Sequence, residues 1–318
     1  MRVTIPTRPV VFALVLALVL GLVVWAVLRG GDAFSPSRPI RVATWNMQWL
    51  VSPETARRAR LACRDGQASP LPCDVARGQV RDSADLGALA GEVRRLGADV
   101  IAFQEVEDAN VARRVFRGYD ICIAPGAGAQ HAGFAVRRWL DARCEPPLDS
   151  LAAGGRGRSG QVLLLRVPGG PPWRLLSVHL KSGCAHDPLE SATGACRLLA
   201  RQAAALGEWI AARVTAQEPF IVLGDLNRAG TPGSGDPFWD LLDASTFETS
   251  AAHLPFRNCV FGEPYETFID HILVDRALMP HLHPEGFMQM RFPISKSIRF
   301  RLPDHCPVRV SLTARAAL

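Results

Sequence analysis

Six short apolar runs limit the ways this chain can fold: "IRVATWNMQWL", "ADVIAFQEV", "WRLLSVHL", "PFIVLGDL", "ETFIDHILV" and "CPVRVSL". Each has the length and composition of a β-strand. Amphipathic helices separate only some of them. "ADLGALAGEVRRL" carries Leu86, Leu89, Ala90, Val93 and Leu96 at helical spacing, and "RLLARQAAALGEWIAARV" repeats the pattern. Other neighbouring strands leave no room for such a helix, and glycine-rich segments at Gly126–Gly133 and Gly154–Gly160 signal hairpins. A parallel pair needs a crossover of a dozen or more residues, so the spacing predicts an α/β fold with mixed sheets. No long linker, repeat or low-complexity block follows Ile40, which makes residues 40–318 one folded domain. With 48% hydrophobic and 21% charged residues the chain is globular rather than disordered.

What precedes Ile40 differs in kind. Residues 10–28, "VVFALVLALVLGLVVWAVL", carry no charge and are long enough to span a hydrocarbon core, whereas a signal-peptide apolar region is shorter. Arg2 and Arg8 before it favour an N-terminus kept inside, and Arg29 beyond it weakens the asymmetry. We read 1–9 as a short cytoplasmic N-terminus, 10–28 as a transmembrane signal-anchor and 29–39 as a Gly/Ser/Pro linker. The competing reading is a cleaved leader, with Gly31 and Ala33 as small residues near the cut, and a secreted product. Both readings put the folded domain on the extracytoplasmic side of the cell membrane.

The cysteines agree with export. Cys63, Cys73, Cys122, Cys144, Cys184, Cys196, Cys259 and Cys306 include no C-x-x-C pair, which argues against zinc ribbons and thioredoxin-type motifs. An even number outside the reducing cytosol suggests disulfides. Short separations favour Cys63–Cys73, Cys122–Cys144 and Cys184–Cys196, leaving Cys259 with Cys306; buried free thiols are the alternative. The net charge is +6, and Lys181 and Lys296 are the only lysines. That Arg skew in an Ala- and Gly-rich chain reflects codon bias, so basicity alone says little about nucleic acid.

The informative residues stand at strand ends. "TWNMQ" has Asn46, "IAFQEVED" has Glu105, "LLSVHLKSG" has His179, "IVLGDLN" has Asp225 and Asn227, "TFIDHI" has Asp270, and "LPDHCPV" has Asp304 and His305. Singly, each reads as a turn residue or a hydrogen-bonded structural residue. Together they give three carboxylates and two amides as hard oxygen donors, with no Cys/His set for zinc. That is ligand chemistry for Mg²⁺, with Mn²⁺ as the variant, in company with substrate phosphate oxygens. Two histidines and a further Asp remain for proton transfer, a His–Asp dyad helping to activate water and a second His assisting the leaving oxygen. His271 neighbours Asp270 on a strand, points to the opposite face and reads as structural.

In this order the motifs "TWNMQ", "FQEV", "VHLKS", "GDLN", "IDHI" and "PDH" resemble those of the endonuclease/exonuclease/phosphatase family, over Arg41 to Leu312. The resemblance is to the pancreatic deoxyribonuclease-like members and implies an exported bacterial relative. It implies a four-layer α/β/β/α sandwich with two mixed sheets. It also implies metal binding by Glu105, Asn46 and Asp304, and a water-orienting, phosphate-contacting pair in Asp225 and Asn227. His305 resembles the catalytic histidine oriented by Asp270, and His179 the second histidine of the nuclease branch.

The substrate implied is a phosphate ester. Arg291, Lys296, Arg299 and Arg301 precede Asp304, and Arg137, Arg138, Arg156 and Arg158 lie near the glycine-rich hairpins. Such clusters suit a polyanionic backbone, and we take Arg299 and Arg301 as substrate-binding residues of a monomeric nuclease acting on DNA or RNA. The alternatives are a sphingomyelinase-like lipid-headgroup phosphodiesterase, with "FGEPYETF" or "HPEGFMQMRF" as an apolar membrane-facing hairpin, a phosphomonoesterase, and a non-catalytic binding module on the same fold.

Overall fold

Strand register decides where each polar strand end comes to lie. In a computed structural model, residues 38–126, 128–259 and 267–313 are described. The chain divides into two units, Met1–Arg38 and Pro39–Leu318, and every element below belongs to the second. The expected span at 10–28, nearly all of the linker and most of "FGEPYETF" lie outside the described residues. Among the described residues no helix is long and apolar enough to cross a membrane.

One sheet holds β1 (Ile40–Leu50), β2 (Val100–Val106), β3 (Tyr119–Ile123), β4 (His131–Arg137), β11 (Leu282–Gln289) and β12 (Val308–Leu312), in the order β11-β12-β1-β2-β4-β3. The other holds β5 (Ala142–Leu148), β6 (Gly160–Leu165), β7 (Trp173–His179), β8 (Phe220–Asp225), β9 (Phe247–Thr249) and β10 (Asp270–Asp275), in the order β5-β6-β7-β8-β10-β9. Each sheet has one parallel pair, β1–β2 and β7–β8, and is otherwise antiparallel. The mixed sheets follow from the spacing, because the two long amphipathic helices lie inside the two parallel crossovers.

The first of these, Ser83–Leu96, starts at a capping box in which Asp82 accepts from the N–H groups of Ala84 and Asp85 while Asp85 accepts from that of Asp82. It ends at Gly97, whose left-handed φ of 60° suits glycine. Leu89, Val93 and Leu96 pack on the outer face of the first sheet. The second helix, Gly194–Thr215, packs Leu199, Leu206 and Ile210 on the outer face of the other. Between the sheets, Val42, Val100, Phe134, Leu175, Ile221 and Ile272 form a third cluster. Helix, sheet, sheet and helix therefore stack as four layers.

Two departures from the sequence reading concern irregular segments. Residues 283–289 of "HPEGFMQMRF" lie in the edge strand β11 rather than in a membrane-facing hairpin, since an edge tolerates Pro284 and Gly286. Between β1 and Ser83 the chain forms two helices, Pro53–Arg64 and Cys73–Gly78, around a small cluster that includes Ala56, Ala59, Leu71, Val75 and Val80.

The cysteines bond as the separations favour: Cys63–Cys73, Cys122–Cys144, Cys184–Cys196 and Cys259–Cys306, with Cα–Cα distances of 5.6, 5.8, 5.1 and 5.0 Å. The second joins β3 to β5, an edge of one sheet to an edge of the other. Alkylation of the unfolded, unreduced protein is expected to label none of the eight cysteines, and to label all of them after reduction. Gly224 is the other fixed point: a Cβ there would lie 2.0 Å from the Val178 carbonyl oxygen on β7. Gly224→Ala must part β7 from β8 and is expected to destabilise the protein by about 3 kcal/mol, as overpacking does, read from urea unfolding.

Candidate active site

Register sets three ionisable side chains in one row. His179 pairs with Asp225 across β7 and β8, and Asp225 pairs with Asp270 across β8 and β10. On the facing sheet, Asn46 pairs with Gln104, and Glu105 then leaves the ladder with a φ of 58°. Gln48 and Trp49 also have positive φ, 46° and 56°, where the β1–β2 register shifts. Such bulges re-aim side chains at the end of a sheet.

The two sheets meet through Asn46, which is fully buried. Its Nδ2 donates to Glu105 Oε1 at 3.1 Å and to Asp225 Oδ2 at 3.0 Å, while its Oδ1 accepts from the Gln48 N–H at 2.9 Å. The Trp49 N–H donates to Glu105 Oε2. On β8, the Asn227 N–H donates to Asp225 Oδ1 at 2.8 Å, and the Asn227 amide donates to the Leu180 carbonyl. Asn227 has a φ of 50°, which turns the chain just past the strand. Both readings of Asp225-Leu226-Asn227 hold at once: it ends a strand, and it hangs polar groups on that end.

His305 is fixed from three sides. Its Nδ1–H donates to Asp270 Oδ2 at 2.5 Å, its carbonyl accepts from the Trp45 indole at 3.1 Å, and the next residue is disulfide-bonded Cys306. The Asp304 N–H donates to Gln48 Oε1. Glu105, His179, Asp225, Asn227, Asp270, Asp304 and His305 all line one cavity of about 660 Å³. Trp49, Gln130, Arg158 and His186 line it too.

Burial raises the Asp225 carboxyl to about 7, with help from the Asp270 charge and against the pull of His305 and the Asn227 and Asn46 hydrogen bonds. Burial pulls His305 down, but the Asp270, Asp225 and Asp304 carboxylates outweigh it and hold His305 well above the usual histidine range. Burial, reinforced by Arg158, His305 and Lys181, pushes His179 well below that range. A neutral His179 and a charged His305 therefore flank a carboxyl that titrates near neutrality.

The residues expected from sequence converge, with exceptions. Arg299 and Arg301 are absent from this cavity and line an adjoining groove that shares Asp304 with it. Arg137 and Arg138 stand at the far end of β4, next to Tyr119 and Asp120. Lys296 ion-pairs with the buried Glu92. His271 is buried, bonds the Arg228 carbonyl and packs edge-on against Trp239, as a structural residue does. Sequence reasoning missed Arg81, which donates to the Met47, Gln48 and Arg301 carbonyls beneath the site. Burial lowers it to about 10, while Asp304, Asp85 and Glu105 favour its charge. Nothing marks it among the neighbouring arginines. Arg228 went unnoticed as well; it pairs with Asp236 and donates to the Cys184 and Asp187 carbonyls, tying the 184–196 disulfide loop to the end of β8.

The donor set fits a hard divalent cation. Glu105 and Asp304 are carboxylates on the cavity wall, and no cysteine thiol competes, since all eight are bonded. Asp225, Asp270 and His305 also bring ligand atoms within 4.8 Å of one another. There the Nδ1–H of His305 is spent on Asp270, so we read that trio as a proton-handling group. Asn46 gives both amide atoms to protein partners, so it orients Glu105 and Asp225.

Residues 43–285 match the profile described as the Endonuclease/Exonuclease/phosphatase family. No curated protein matches the sequence. Among solved structures, the APE2 catalytic domain of Xenopus laevis aligns with a TM-score of 0.57 at 15% identity, over 88% of this chain and 94% of its own. The 3′ phosphatase NExo from Neisseria, bound to a product DNA hairpin, gives 0.53 at 15% identity over 86% and 99%. TDP2 from Caenorhabditis elegans gives 0.54 at 15% over 92% and 81%. At such identities the likeness shows a shared fold.

His179 and His271 both have depressed values in the folded state. Their unfolded forms take up protons near pH 6.5. The stability they contribute is complete above that pH and is lost as the pH falls toward their folded values, by up to about 1.4 kcal/mol per pH unit for each histidine. Asp225 and His305, whose folded values are raised, act in the opposite sense in both proteins, so the loss is read as a difference: in urea unfolding of the EDTA-treated proteins from pH 7.5 downward, the wild type is expected to lose stability relative to His179→Asn. Equal slopes in the two proteins would contradict a neutral buried His179.

Proposed function

The chain belongs to the endonuclease/exonuclease/phosphatase family, and from that premise we propose that it hydrolyses phosphodiester bonds with a divalent cation, as a nuclease acting on DNA or RNA outside the cytoplasm. The observation that carries the reading is the meeting of His179, Asp225, Asp270 and His305 with Glu105 and Asp304 in one cavity. The neighbours of like fold include a 3′ phosphatase bound to a product DNA hairpin, which supports a phosphate ester as substrate. Four disulfides support an oxidising compartment. We propose residues 10–28 as the anchor that tethers the domain to the membrane.

The roles follow from the electrostatics. Asp225, near 7, is the group suited to take a proton from the attacking water at neutral pH. The Asn227 N–H, bonded to Asp225 Oδ1, leaves Oδ2 to face the cavity with Asn46. Charged His305, aimed by Asp270, donates from Nε2 to a non-bridging phosphate oxygen. The dyad thus acts as an electrostatic clamp, and water activation falls to Asp225. Neutral His179, with Nε2 at 3.7 Å from Glu105 Oε1 and 3.6 Å from Asp225 Oδ2, is placed as a hydrogen-bonding partner within the same pocket. Arg158, held by Gln130 Oε1 at 2.7 Å, adds a guanidinium at the rim. Glu105 and Asp304 would hold the cation, Mg²⁺ or Mn²⁺, which when bound neutralises charge on the phosphorus oxygens and the departing oxygen. Water adds to phosphorus, the ester oxygen leaves, and the water proton passes to Asp225.

The test is incubation of the full chain with plasmid DNA, RNA, sphingomyelin and bis(p-nitrophenyl) phosphate, in Mg²⁺ and in EDTA. Cleavage of nucleic acid and of the small diester is expected, abolished by EDTA. Asp225→Asn is expected to lower turnover by about 10²–10⁴-fold, the range for removal of a general base, with the unfolding midpoint retained. Wild-type turnover in that variant would remove Asp225 from the mechanism. Cleavage of sphingomyelin alone would replace the nuclease reading with a lipid-headgroup one.

A further inference from the structure

Two concavities continue outward from the catalytic cavity. The first, about 740 Å³, shares Asp304 with it and is walled by three arginines, Arg81, Arg299 and Arg301, with the carboxylates Asp82 and Asp85 beside them. The second, about 730 Å³, shares Arg81, Asp82 and Arg301 with the first and adds Arg57, Arg60 and Arg114. The three spaces form a series that leads away from Asp304 over the helix Pro53–Arg64.

Charge along this series changes sign. The catalytic cavity is walled by four carboxylates, Glu105, Asp225, Asp270 and Asp304. The outermost space is walled by five arginines, of which Arg81 donates to backbone carbonyls and Arg301 pairs with Asp85, and by one carboxylate, Asp82, which accepts from the N–H groups of Ala84 and Asp85. Among the described residues Arg57 is engaged only by Glu54, in an exposed pair that exchanges readily for a phosphate. Arg60 donates from Nε to the Ala76 carbonyl, and among the described residues its terminal nitrogens have no hydrogen-bond partner. Pro53, Ala56, Leu61 and Val80 supply an apolar floor, and Leu61 is 41% exposed. The arginine-bearing helix is set before any ligand arrives: Cys63–Cys73 and the cluster with Ala56, Ala59 and Val75 fix it to the helix Cys73–Gly78.

We propose that this arginine-lined trough binds the polynucleotide strand that leads away from the scissile phosphate. Guanidinium forks match phosphate oxygens bidentately, and the alternation of arginine with apolar floor suits a chain of phosphates and sugars. The trough is too long for a single headgroup, since each of its two spaces is in the size range of a small-ligand site. It is concave, whereas a lipid surface calls for a projecting apolar face. The proposal rests on the phosphodiesterase reading above and extends it to a polymeric substrate held on one side of the cut.

The experiment separates the two. Affinity of the full chain, in detergent micelles with EDTA, for a fluorescein-labelled single-stranded oligodeoxynucleotide is measured by anisotropy across a salt series. Arg57→Gln/Arg60→Gln/Arg114→Gln is measured beside it. Loss of three phosphate contacts is expected to flatten the slope of log K against log salt by about 2, at roughly 0.7 per contact on a single strand, and to weaken binding at low salt by tenfold or more. Turnover of bis(p-nitrophenyl) phosphate, too small to reach the trough, is expected to stay within twofold of wild type and shows that the variant is folded. Equal affinity and slope in the two proteins overturns the trough. Lost sphingomyelin hydrolysis in mixed micelles with unchanged oligonucleotide affinity would reassign it to a lipid surface. Absence of any diester hydrolysis by the wild type, with binding still sensitive to the arginines, overturns the catalytic reading alone.

Discussion

Asn46 joins the two sheets at the one place where their charges would drive them apart. Glu105 comes from one sheet and Asp225 from the other, and the Nδ2 of this single buried amide reaches both. Two carboxylates about 4 Å apart repel by about 4 kcal/mol at an effective dielectric of 20. An amide offers two N–H donors and no charge, so it can satisfy both without adding a third ion. Its Oδ1 is held by the Gln48 N–H, which fixes which end of the amide faces the carboxylates. Gln48 in turn accepts from the Asp304 N–H and, through its carbonyl, from Arg81. A bulge of two positive-φ residues at the end of β1 thus positions the carboxylates of both sheets and the loop that carries His305.

Much of this was legible in the sequence, because a polar residue at the boundary of a buried apolar run marks the end of a strand. His179 and Asp225 each close an apolar run and Asp270 opens one, so each stands at a strand end in the structure. Their placement in one row was not legible, since it depends on which strands pair and in what register. The helices Pro53–Arg64 and Cys73–Gly78 were missed for a different reason: their buried positions are largely alanine and threonine between arginines, so the periodic apolar signal is faint. Arg137 and Arg138 show the opposite error. A basic pair near a hairpin looks like substrate binding until the register puts it at the wrong end of β4.

Three of the four disulfides hold the segments that run between the paired strands. Cys63–Cys73, Cys184–Cys196 and Cys259–Cys306 lie in segments outside the paired strands. There cross-links and buried ion pairs add to the hydrophobic packing. Arg228 does this for the 184–196 loop, and Glu92, held between Arg95 and Lys296, does it for the helix Ile294–Arg299. These segments bring Ala185, His186, Cys259 and Cys306 to the cavity.

Charge is arranged in opposition to itself, and that arrangement has a direction. The catalytic cavity sets four carboxylates, one of them titrating near neutrality, against charged His305 and Arg158, whereas the outer trough is walled mainly by arginines. Arg81 lies between the two, buried, with Asp304 and Glu105 holding its charge on one side and two arginine-lined walls on the other. In the reaction proposed above, a cation held by Glu105 and Asp304 would offset the carboxylate charge at the centre, while the outer trough would bind the strand independently of it. A longer strand would then depend less on the cation for its affinity than a small diester.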